Sequence, residues 1–401
     1  MPDLSKTVPR PRWWPHFSSP LRSTAVTARL GRVLGIAIAV CFATGLVSEL
    51  QYHPLSWLPW PAAPVSIYRV TQGVHVLTGT ACLPLVLVKL WSVYPNLWRF
   101  PPVRSVLHLL ERGSVAVLVA ATLVQLATGY ANVLDWYPFR WYFVDTHHYL
   151  AYVVMGSVLL HVAVKLPDIL YGLRADVAQA DVLTEVPWEE NPASHSNAGD
   201  VPAPTTPAIS RRGVLAATGA GVGVVVLAAA GQTVTPLEPV GLLAIRQWRR
   251  GPQQVPVNRT AEQAEVTALA TAPGWVLQVD GATSFQLTLA DLEPSATREA
   301  RFPISCVEGW SVGAAWRGLS LLDLVRRAGG DEDSSVQVFS FEPLGAYNQS
   351  VITGPQLGAA LLATHLNGQR LDLDHGYPLR LIAPNRAGVL NTKWLSRVVV
   401  S

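Results

Sequence analysis

Charged residues and cysteines are both scarce in this sequence. Asp, Glu, Lys and Arg make up 14% of the 401 residues, whereas hydrophobic residues make up 50%. Soluble domains carry roughly 25% charged residues, so the apolar excess predicts membrane-spanning segments. The net charge of +3 is too small and too dispersed to indicate nucleic-acid binding, and no nucleic-acid partner is expected.

The three cysteines do not form a disulfide framework. Cys41 and Cys82 lie inside apolar stretches, where a thiol usually packs as a small hydrophobic group, and Cys306 lies far from both. This spacing excludes a small disulfide-stapled domain. Cys306 is the one cysteine of the C-terminal third, and on its own it would be interpreted as a buried thiol.

Five stretches without charged residues approach or exceed the length of about 20 residues that crosses a bilayer. They are residues 33–48, 70–88, 113–134, 146–164 and 213–237. They predict a multi-domain protein in which an all-α bundle of four transmembrane helices and a fifth anchor helix precede an α+β domain. The predicted segments are an N-terminal segment (1–32), a membrane domain (33–167), a linker (168–210), a signal or anchor helix (211–237) and an exported domain (238–401).

The distribution of Lys and Arg predicts the orientation of these segments. Basic residues precede the first stretch and follow the second and fourth, whereas the loops at 49–69 and 135–145 contain few of them. By the positive-inside rule the N-terminus is cytoplasmic and everything after the fifth stretch is outside. Aromatic residues in the two outer loops, among them Trp57, Trp60 and Trp136, are typical of an interfacial belt against membrane lipid.

Histidines inside the predicted helices are candidate haem ligands. An ionisable group in the bilayer is costly and usually functional, and imidazole is a common axial ligand of haem iron. His148, or its neighbour His147, and His161 are separated by about 20 Å along a helix. They could therefore serve two haems but not one. The alternative is that these histidines form hydrogen bonds between helices.

Residues 73–75, 146–149 and 160–167 resemble the membrane cytochrome b subunits of bacterial respiratory oxidoreductases. The resemblance covers about residues 30–170 and implies a bacterial plasma membrane, haem b and a quinone or quinol partner. It implies an outer haem on His75 and His148 and an inner haem on His161 and His108. Lys89 stands where a second histidine ligand would be expected, so the number of haems, one or two, stays open.

Residues 168–210 are rich in Asp, Glu, Pro, Ala, Ser and Thr, which predicts a largely disordered cytoplasmic linker. After it, Arg211 and Arg212 precede a weakly hydrophobic run rich in Gly and Ala. This looks like a twin-arginine export signal, which serves folded proteins, and its length favours an uncleaved anchor. The alternative is an ordinary pair of positive-inside arginines.

The C-terminal part reads as a mixed α and β domain. Alternating apolar residues predict strands at 276–282, 285–289, 336–341, 379–383 and 397–400, the last two closing the sheet. A short amphipathic helix is predicted at 319–328, with a glycine stop at Gly329 and Gly330.

Four ordered blocks of this domain, 306–311, 316–321, 366–380 and 384–394, closely resemble the molybdopterin-binding domain of the sulfite oxidase family. That family also includes the catalytic subunit of periplasmic methionine sulfoxide reductase. The resemblance implies that Cys306 ligates molybdenum, since thiolate is a soft ligand suited to such a metal. An anionic pterin phosphate needs cationic and amide donors. The candidates are Asn258, Arg259, His375, Arg380, Arg386 and Lys393.

Together these features predict a membrane-bound molybdenum oxidoreductase. Oxygen-atom transfer at the Cys306 centre would be coupled through b-type haem to the quinone pool, with an S-oxide, N-oxide or oxyanion as the small-molecule substrate. The favoured direction is reduction of S-oxides or N-oxides. The alternatives are a sulfite-type oxidase, or a non-catalytic electron-transfer protein with a degenerate domain. A third interpretation, Cys306 as a nucleophile beside His365 or His375, has no supporting local motif.

Overall fold

A computed structural model describes most of the chain. The described residues are 13, 17, 19–52, 55, 57–98, 102–103, 105–137, 143–178, 209–244, 251–343, 345 and 348–401. They form two compact units, the first comprising Met1–Phe42, Thr78–Tyr130 and Phe139–Val226, the second Ala43–Leu77, Ala131–Pro138 and Leu227–Ser401. The second unit thus joins end segments of several helices to the C-terminal domain.

Within the described residues, five helices are long and apolar enough to cross a membrane. They are α1 (Thr24–Glu49), α2 (Ile67–Leu97), α3 (Val106–Val133), α4 (Phe143–Arg174) and α5 (Arg211–Ala230). These helices confirm a helical N-terminal region, whereas insertion into a membrane stays a prediction. Residues 179–208 of the predicted linker lie outside the described residues, whereas residues 168–174 belong to α4.

The helices and the charge-free stretches have different ends. Helix α4 runs ten residues beyond the fourth stretch, because Lys165 and Asp168 continue the helix as an ion pair on its surface at 3.7 Å. Helix α5 ends at Ala230, well before the predicted end at 237. The chain continues there as a short 3₁₀ helix, Thr235–Val240, with proline in its first turn. Proline is accepted at a helix start because the amide hydrogen that it lacks has no helical partner there.

Basic side chains bind carbonyl groups inside the first unit. Arg29 of α1 donates to Gly172 O at 3.0 Å, near the C-terminal end of α4, where carbonyl groups have no partner within the helix. The Nζ atom of Lys89 in α2 donates to Thr27 O of α1 at 2.8 Å. Partial burial of these charges is tolerated because each is hydrogen-bonded.

The C-terminal part of the second unit contains two five-stranded sheets. One has the order β2-β1-β10-β5-β6, and the other has the order β3-β4-β7-β8 with β9 also paired to β7. The strands are β1 (Val276–Asp280), β2 (Phe285–Thr288), β3 (Arg298–Ser305), β4 (Ser311–Ser320), β5 (Val336–Ser340), β6 (Gln349–Ile352), β7 (Leu361–Leu366), β8 (Gln369–Arg370), β9 (Arg380–Ile382) and β10 (Leu395–Val400). Short helices connect them: α6 (Thr267–Ala270), α7 (Leu289–Ser295), α8 (Leu321–Arg327) and α9 (Gly354–Ala359).

The α+β class is confirmed, but two details of the predicted domain are wrong. The segments around β9 and β10 do not close one sheet, because β9 pairs with β7 and β10 lies between β1 and β5. The helix predicted at 319–328 begins at Leu321, since Ser320 ends β4 and its hydroxyl accepts the Asp323 amide hydrogen as a helix cap.

The second sheet, which carries β3, β4, β7 and β9, has apolar side chains on both faces. Leu319, Leu362 and Leu381 join the core shared with the first sheet. Trp316, Leu361 and Ile382 belong to a second cluster that also contains Cys306. Side chains alternate between the two faces of a strand. This sheet therefore separates the main core from the Cys306 region and supports that region from one side.

Candidate functional site

Cys306 begins a tight loop, residues 306–310, between β3 and β4, called the Cys306 loop below. The Cys306 amide donates to Trp310 O at 2.9 Å, and the Gly309 amide donates to Cys306 O at 3.0 Å. Gly309 has φ +95°, a conformation that favours glycine. Because these hydrogen bonds close the loop, the thiol is held in one position and is 1% exposed.

The surroundings of Cys306 disfavour a free thiolate. Burial, followed by the nearby Glu308 carboxylate, holds the pKa of the thiol well above its ordinary value. The Trp310 indole donates to Glu308 Oε2 at 3.1 Å and orients that carboxylate. The Asn258 amide nitrogen lies 3.7 Å from Cys306 Sγ. A thiol in this setting ionises when a cation such as a metal ion binds it.

Arg380 is a buried cation on strand β9. Its guanidinium donates to His375 O at 3.0 Å and to Asn391 O at 3.2 Å, and it lies 5.3 Å from the Trp316 ring centre. Its Nε atom is buried and has no hydrogen-bond partner among the described residues. Since a buried donor without a partner is costly, this atom fits a site that receives an anionic or acceptor-rich ligand.

Lys393 and His375 lie beside Arg380. Lys393 Nζ donates to Arg259 O at 2.7 Å and to Asp374 O at 2.8 Å. Burial, then the charge of Arg380, lowers the pKa of Lys393 to about 7. The same two causes lower the pKa of His375 to about 4, so the imidazole is neutral at pH 7 and its Nε2 donates to Pro252 O at 2.8 Å.

Gly376 allows Lys393 and Arg380 to approach each other. It has φ +103°, and a Cβ atom on it would lie 3.0 Å from Lys393 Cβ and 3.1 Å from Arg380 Cβ. Any side chain would have to displace both, so the close pair of cations depends on glycine at this position.

The side chains of Arg259 and Arg386, two predicted cofactor residues, bind protein groups other than Cys306, Arg380 and Lys393. The Arg259 guanidinium pairs with Glu342 at 2.6 Å, so only the Arg259 carbonyl reaches Lys393. Arg386 donates to Leu390 O at 2.9 Å, to Gln356 Oε1 at 3.3 Å and to Val351 O at 2.7 Å. These contacts attach Arg386 to α9 and β6, apart from the cationic pair.

The donor set fits a pterin cofactor. Cys306, with Asn258 beside it, could supply the metal ligand, and the cationic pair Arg380 and Lys393 could supply the positive charge that a molybdopterin with its phosphate requires. The unpartnered Nε of Arg380 and the close approach of Arg380 and Lys393 at Gly376 are the structural observations behind this fit.

The structure also separates the histidines of α4. His147 Nδ1 lies 3.0 Å from Thr128 Oγ1 of α3, and a Cβ atom on Gly129 would lie 3.1 Å from the His147 ring. The Thr128 hydroxyl also lies 2.9 Å from Val124 O. A contact at Nδ1 leaves Nε2 of the ring as the nitrogen available to a metal. His148 instead packs edge-on against Tyr149 and Tyr152, with ring centres 5.1 and 5.3 Å away.

His75 has surroundings like those of His147. Its Nδ1 lies 3.4 Å from Thr44 Oγ1 of α1, and a Cβ atom on Gly45 would lie 3.1 Å from its ring. In both places a threonine and the following glycine of a neighbouring helix receive the imidazole. The glycine leaves the space and the threonine orients the ring.

The two histidines predicted to hold an inner haem lie in an acid–base cluster. His161 precedes Lys165 by one turn of α4, and Lys165 Nζ lies 2.6 Å from Glu111 of α3. His108 precedes Glu111 by one turn, and Glu111 interacts electrostatically with both histidines. Glu111 therefore lies near both histidines. The inner haem on His161 and His108 stays a prediction.

The sequence interpretation missed a set of polar residues around the Cys306 loop. Gln72 of α2 and Asn132 of α3 both donate to Val307 O, at 2.8 and 3.1 Å. The Thr233 hydroxyl donates to Gly309 O, and the Ser311 amide donates to Gln232 O at 2.9 Å. The sequence signal for Gln72 and Asn132 is that each is an amide side chain within an otherwise apolar stretch.

Comparisons with known proteins show similarity to oxidoreductases. The oxidoreductase molybdopterin binding domain family matches residues 263–401. A mitochondrial sulfite oxidase of Drosophila melanogaster is 29% identical over an alignment of 187 residues, and the alignment covers 41% of this chain and 32% of the fly protein. A sulfite oxidase of Gallus gallus is 37% identical over 106 residues, 23% of each chain. An uncharacterized oxidoreductase of Bacillus subtilis, YuiH, is 30% identical over 124 residues, 30% of this chain and 62% of that protein.

The family match lies in the C-terminal domain, and this chain covers a third or less of the length of the two sulfite oxidases. The matched region contains Cys306 and the cationic pair Arg380 and Lys393. Residues 263–401 therefore match the oxidoreductase molybdopterin binding domain and are similar to part of the sulfite oxidases, which confirms the predicted oxidoreductase class and supports a molybdenum cofactor.

Proposed function

We propose that this chain is a membrane-bound oxidoreductase that couples its molybdopterin domain to b-type haem and the quinone pool and reduces a small S-oxide or N-oxide. Bound molybdenum would supply two-electron oxygen-atom chemistry. The chain's own part is to hold it through Cys306, to bind the pterin phosphate with Arg380, Lys393 and His375, and to exclude water from a buried site.

One observation carries this proposal. The end of α2 that contains His75 belongs to the same compact unit as the molybdopterin domain, and Gln72, one turn before His75, donates directly to the Cys306 loop. A candidate haem ligand and the candidate molybdenum ligand are thus joined within a single unit. The threonine and glycine that receive His75 support its role as an axial ligand.

The test follows haem absorbance in the purified protein. We expect a quinol to reduce the haem, and an S-oxide or N-oxide added afterwards to restore the oxidised spectrum. Sulfite that reduces the haem, with a quinone restoring it, would instead establish an oxidase. Metal analysis of the same sample is expected to find molybdenum.

Two outcomes would contradict the proposal. A haem that responds to neither quinol nor any substrate would rule out the coupled chain. Haem without molybdenum, in cells that make the cofactor, would favour a non-catalytic electron-transfer protein. The matched control is Cys306→Ser, in which quinol should still reduce the haem while substrate no longer oxidises it.

A further inference from the structure

The Val307 carbonyl, next to the candidate molybdenum ligand, accepts hydrogen bonds from two separate helices. Gln72 Nε2 of α2 lies 2.8 Å from Val307 O, and Asn132 Nδ2 of α3 lies 3.1 Å from it. A carbonyl oxygen has two lone pairs, so these two donors saturate it. The peptide group between Cys306 and Val307 is thereby fixed from outside the loop.

Both amide side chains are themselves held in place. The Ser48 hydroxyl donates to Gln72 Oε1 at 3.0 Å, and the Tyr137 hydroxyl donates to Asn132 Oδ1 at 3.1 Å. Each hydroxyl occupies the amide oxygen, so the NH₂ group is the one directed at Val307 O. Gln72 is 7% exposed. The Tyr137 hydroxyl on the Asn132 side is exposed. The Gln72 side is a satisfied polar contact with little access to water, which is rigid and specifies one geometry.

The far side of the loop is restrained as well. A Cβ atom on Gly309 would lie 2.7 Å from a methyl group of Val76 in α2, and the Thr233 hydroxyl donates to Gly309 O. Helix α2 therefore contacts the loop at two residues that flank His75 on either side. Residues three apart on a helix have Cβ atoms about 5–6 Å apart, so Gln72 and His75 are neighbours on one face.

From these contacts we infer that Gln72 and Asn132 are positioning residues for Cys306, and that Gln72 together with His75 forms the electron route between haem and molybdenum. The route runs from the His75 imidazole to the Gln72 amide, across its hydrogen bond to Val307 O, and through one peptide to Cys306. It rests on the proposed function. No covalent bond forms or breaks: one electron passes at a time from reduced haem, and two passages supply the two-electron step.

Hydrogen exchange of the full-length protein tests the positioning role without any need for activity. We expect Gln72→Met and Asn132→Leu each to raise exchange of the Cys306 and Gly309 amides by about fivefold, the effect of losing one typical hydrogen bond. Gln125→Met is the matched control, because Gln125 of α3 is also an amide in a helix and its buried Oε1 has no partner among the described residues. Unchanged exchange in both loop variants would overturn the positioning role.

Stopped-flow measurement of haem reoxidation by substrate tests the route. Gln72→Met is expected to slow reoxidation more than Asn132→Leu, because only Gln72 lies beside His75, while quinol still reduces the haem at the wild-type rate in both. Equal slowing in the two variants, or none, would overturn the route. If wild-type haem is not reoxidised at all, the proposed function fails instead, and the exchange experiment still decides the positioning role.

Discussion

Cys306 combines deep burial with a carboxylate neighbour, a setting in which the neutral thiol is stable and the thiolate needs a metal. We expect Cys306→Ser to lose the bound molybdenum and all turnover, because a hydroxyl is a harder and far less acidic ligand. The haem spectrum should stay unchanged. Metal analysis and absorbance spectra of the same sample measure both, and Cys41→Ser serves as the matched control. Retained activity would contradict ligation by Cys306.

Lys393 should make the stability of the cofactor-free protein depend on pH. Its pKa in the folded chain, about 7, lies below the usual value near 10.4 for a free lysine. Between these values the unfolded chain binds more protons, so the free energy of unfolding should rise as pH rises from about 7 to about 9. Lys393→Met should remove this contribution from the pH dependence of cofactor-free protein.

Thermal unfolding of cofactor-free protein at several pH values measures the effect of Lys393. In the holoprotein the pterin phosphate should raise the pKa of Lys393, and the difference between wild type and Lys393→Met should become smaller. An equal pH dependence in the wild-type and Lys393→Met proteins without cofactor would show that the lysine is not buried as described.

At the scale of one loop, Gly309 and Gly313 form a matched pair. Gly309 has φ +95° and a Cβ atom would meet Val76, whereas a Cβ atom on Gly313 of β4 would meet nothing within 4 Å. We expect Gly309→Ala to destabilise the protein by about 2 kcal/mol or more, since backbone strain alone costs about 1–2 kcal/mol. Gly313→Ala should change stability by less than about 1 kcal/mol. Chemical denaturation and molybdenum content are the measurements, and equal losses would contradict a special role for the Cys306 loop.

Along α4 the helical period distinguishes the two adjacent histidines. Residues 147 and 161 are separated by close to four full turns and share a face, whereas residue 148 is turned by about 100° from 147. With the contact to Thr128, this favours His147 over His148 as the haem ligand. We expect His147→Ala to lose a haem signal and His148→Ala to keep it. Absorbance of the reduced proteins decides. Loss of the haem signal only in His148→Ala would favour His75 and His148 as the ligands of the outer haem.

The elements that the sequence predicted are those with a clear apolar pattern. Helices α1 to α5 follow from long stretches without charged residues, and strands β1 and β5 follow from their hydrophobic patterns. Strand β4 was missed because Ser311–Ser320 is rich in Gly, Ala and Ser, which have little strand preference. The role of Arg386 at the cofactor follows from a matching block and stays a prediction, because position in sequence does not determine where a long side chain points.

At the scale of the molecule, the contacts that matter most join residues far apart in sequence. Asn385 donates to Pro61 O at 3.0 Å and to Pro64 O at 2.7 Å, and the Trp60 indole donates to Asn385 O at 2.7 Å. Trp60 was expected to be a lipid-facing belt residue like Trp57, which is 74% exposed. Composition and periodicity carry no information on such pairings, so these contacts could only come from the structure.

Export of the C-terminal domain is the remaining prediction for the whole chain. Arg211 donates to Pro20 O at 2.7 Å and Arg212 pairs with Asp176 at 3.2 Å, so both arginines also have partners inside the first unit. If the pair is an export signal, a host that lacks the twin-arginine system should retain residues 238–401 in the cytoplasm, and protease added outside spheroplasts should not cut them. The same should hold for the variant with Arg211→Lys and Arg212→Lys. Asp176→Asn is the control, since it removes the ion pair but keeps both arginines. Normal export in the deficient host would mean that the two arginines only orient and anchor helix α5.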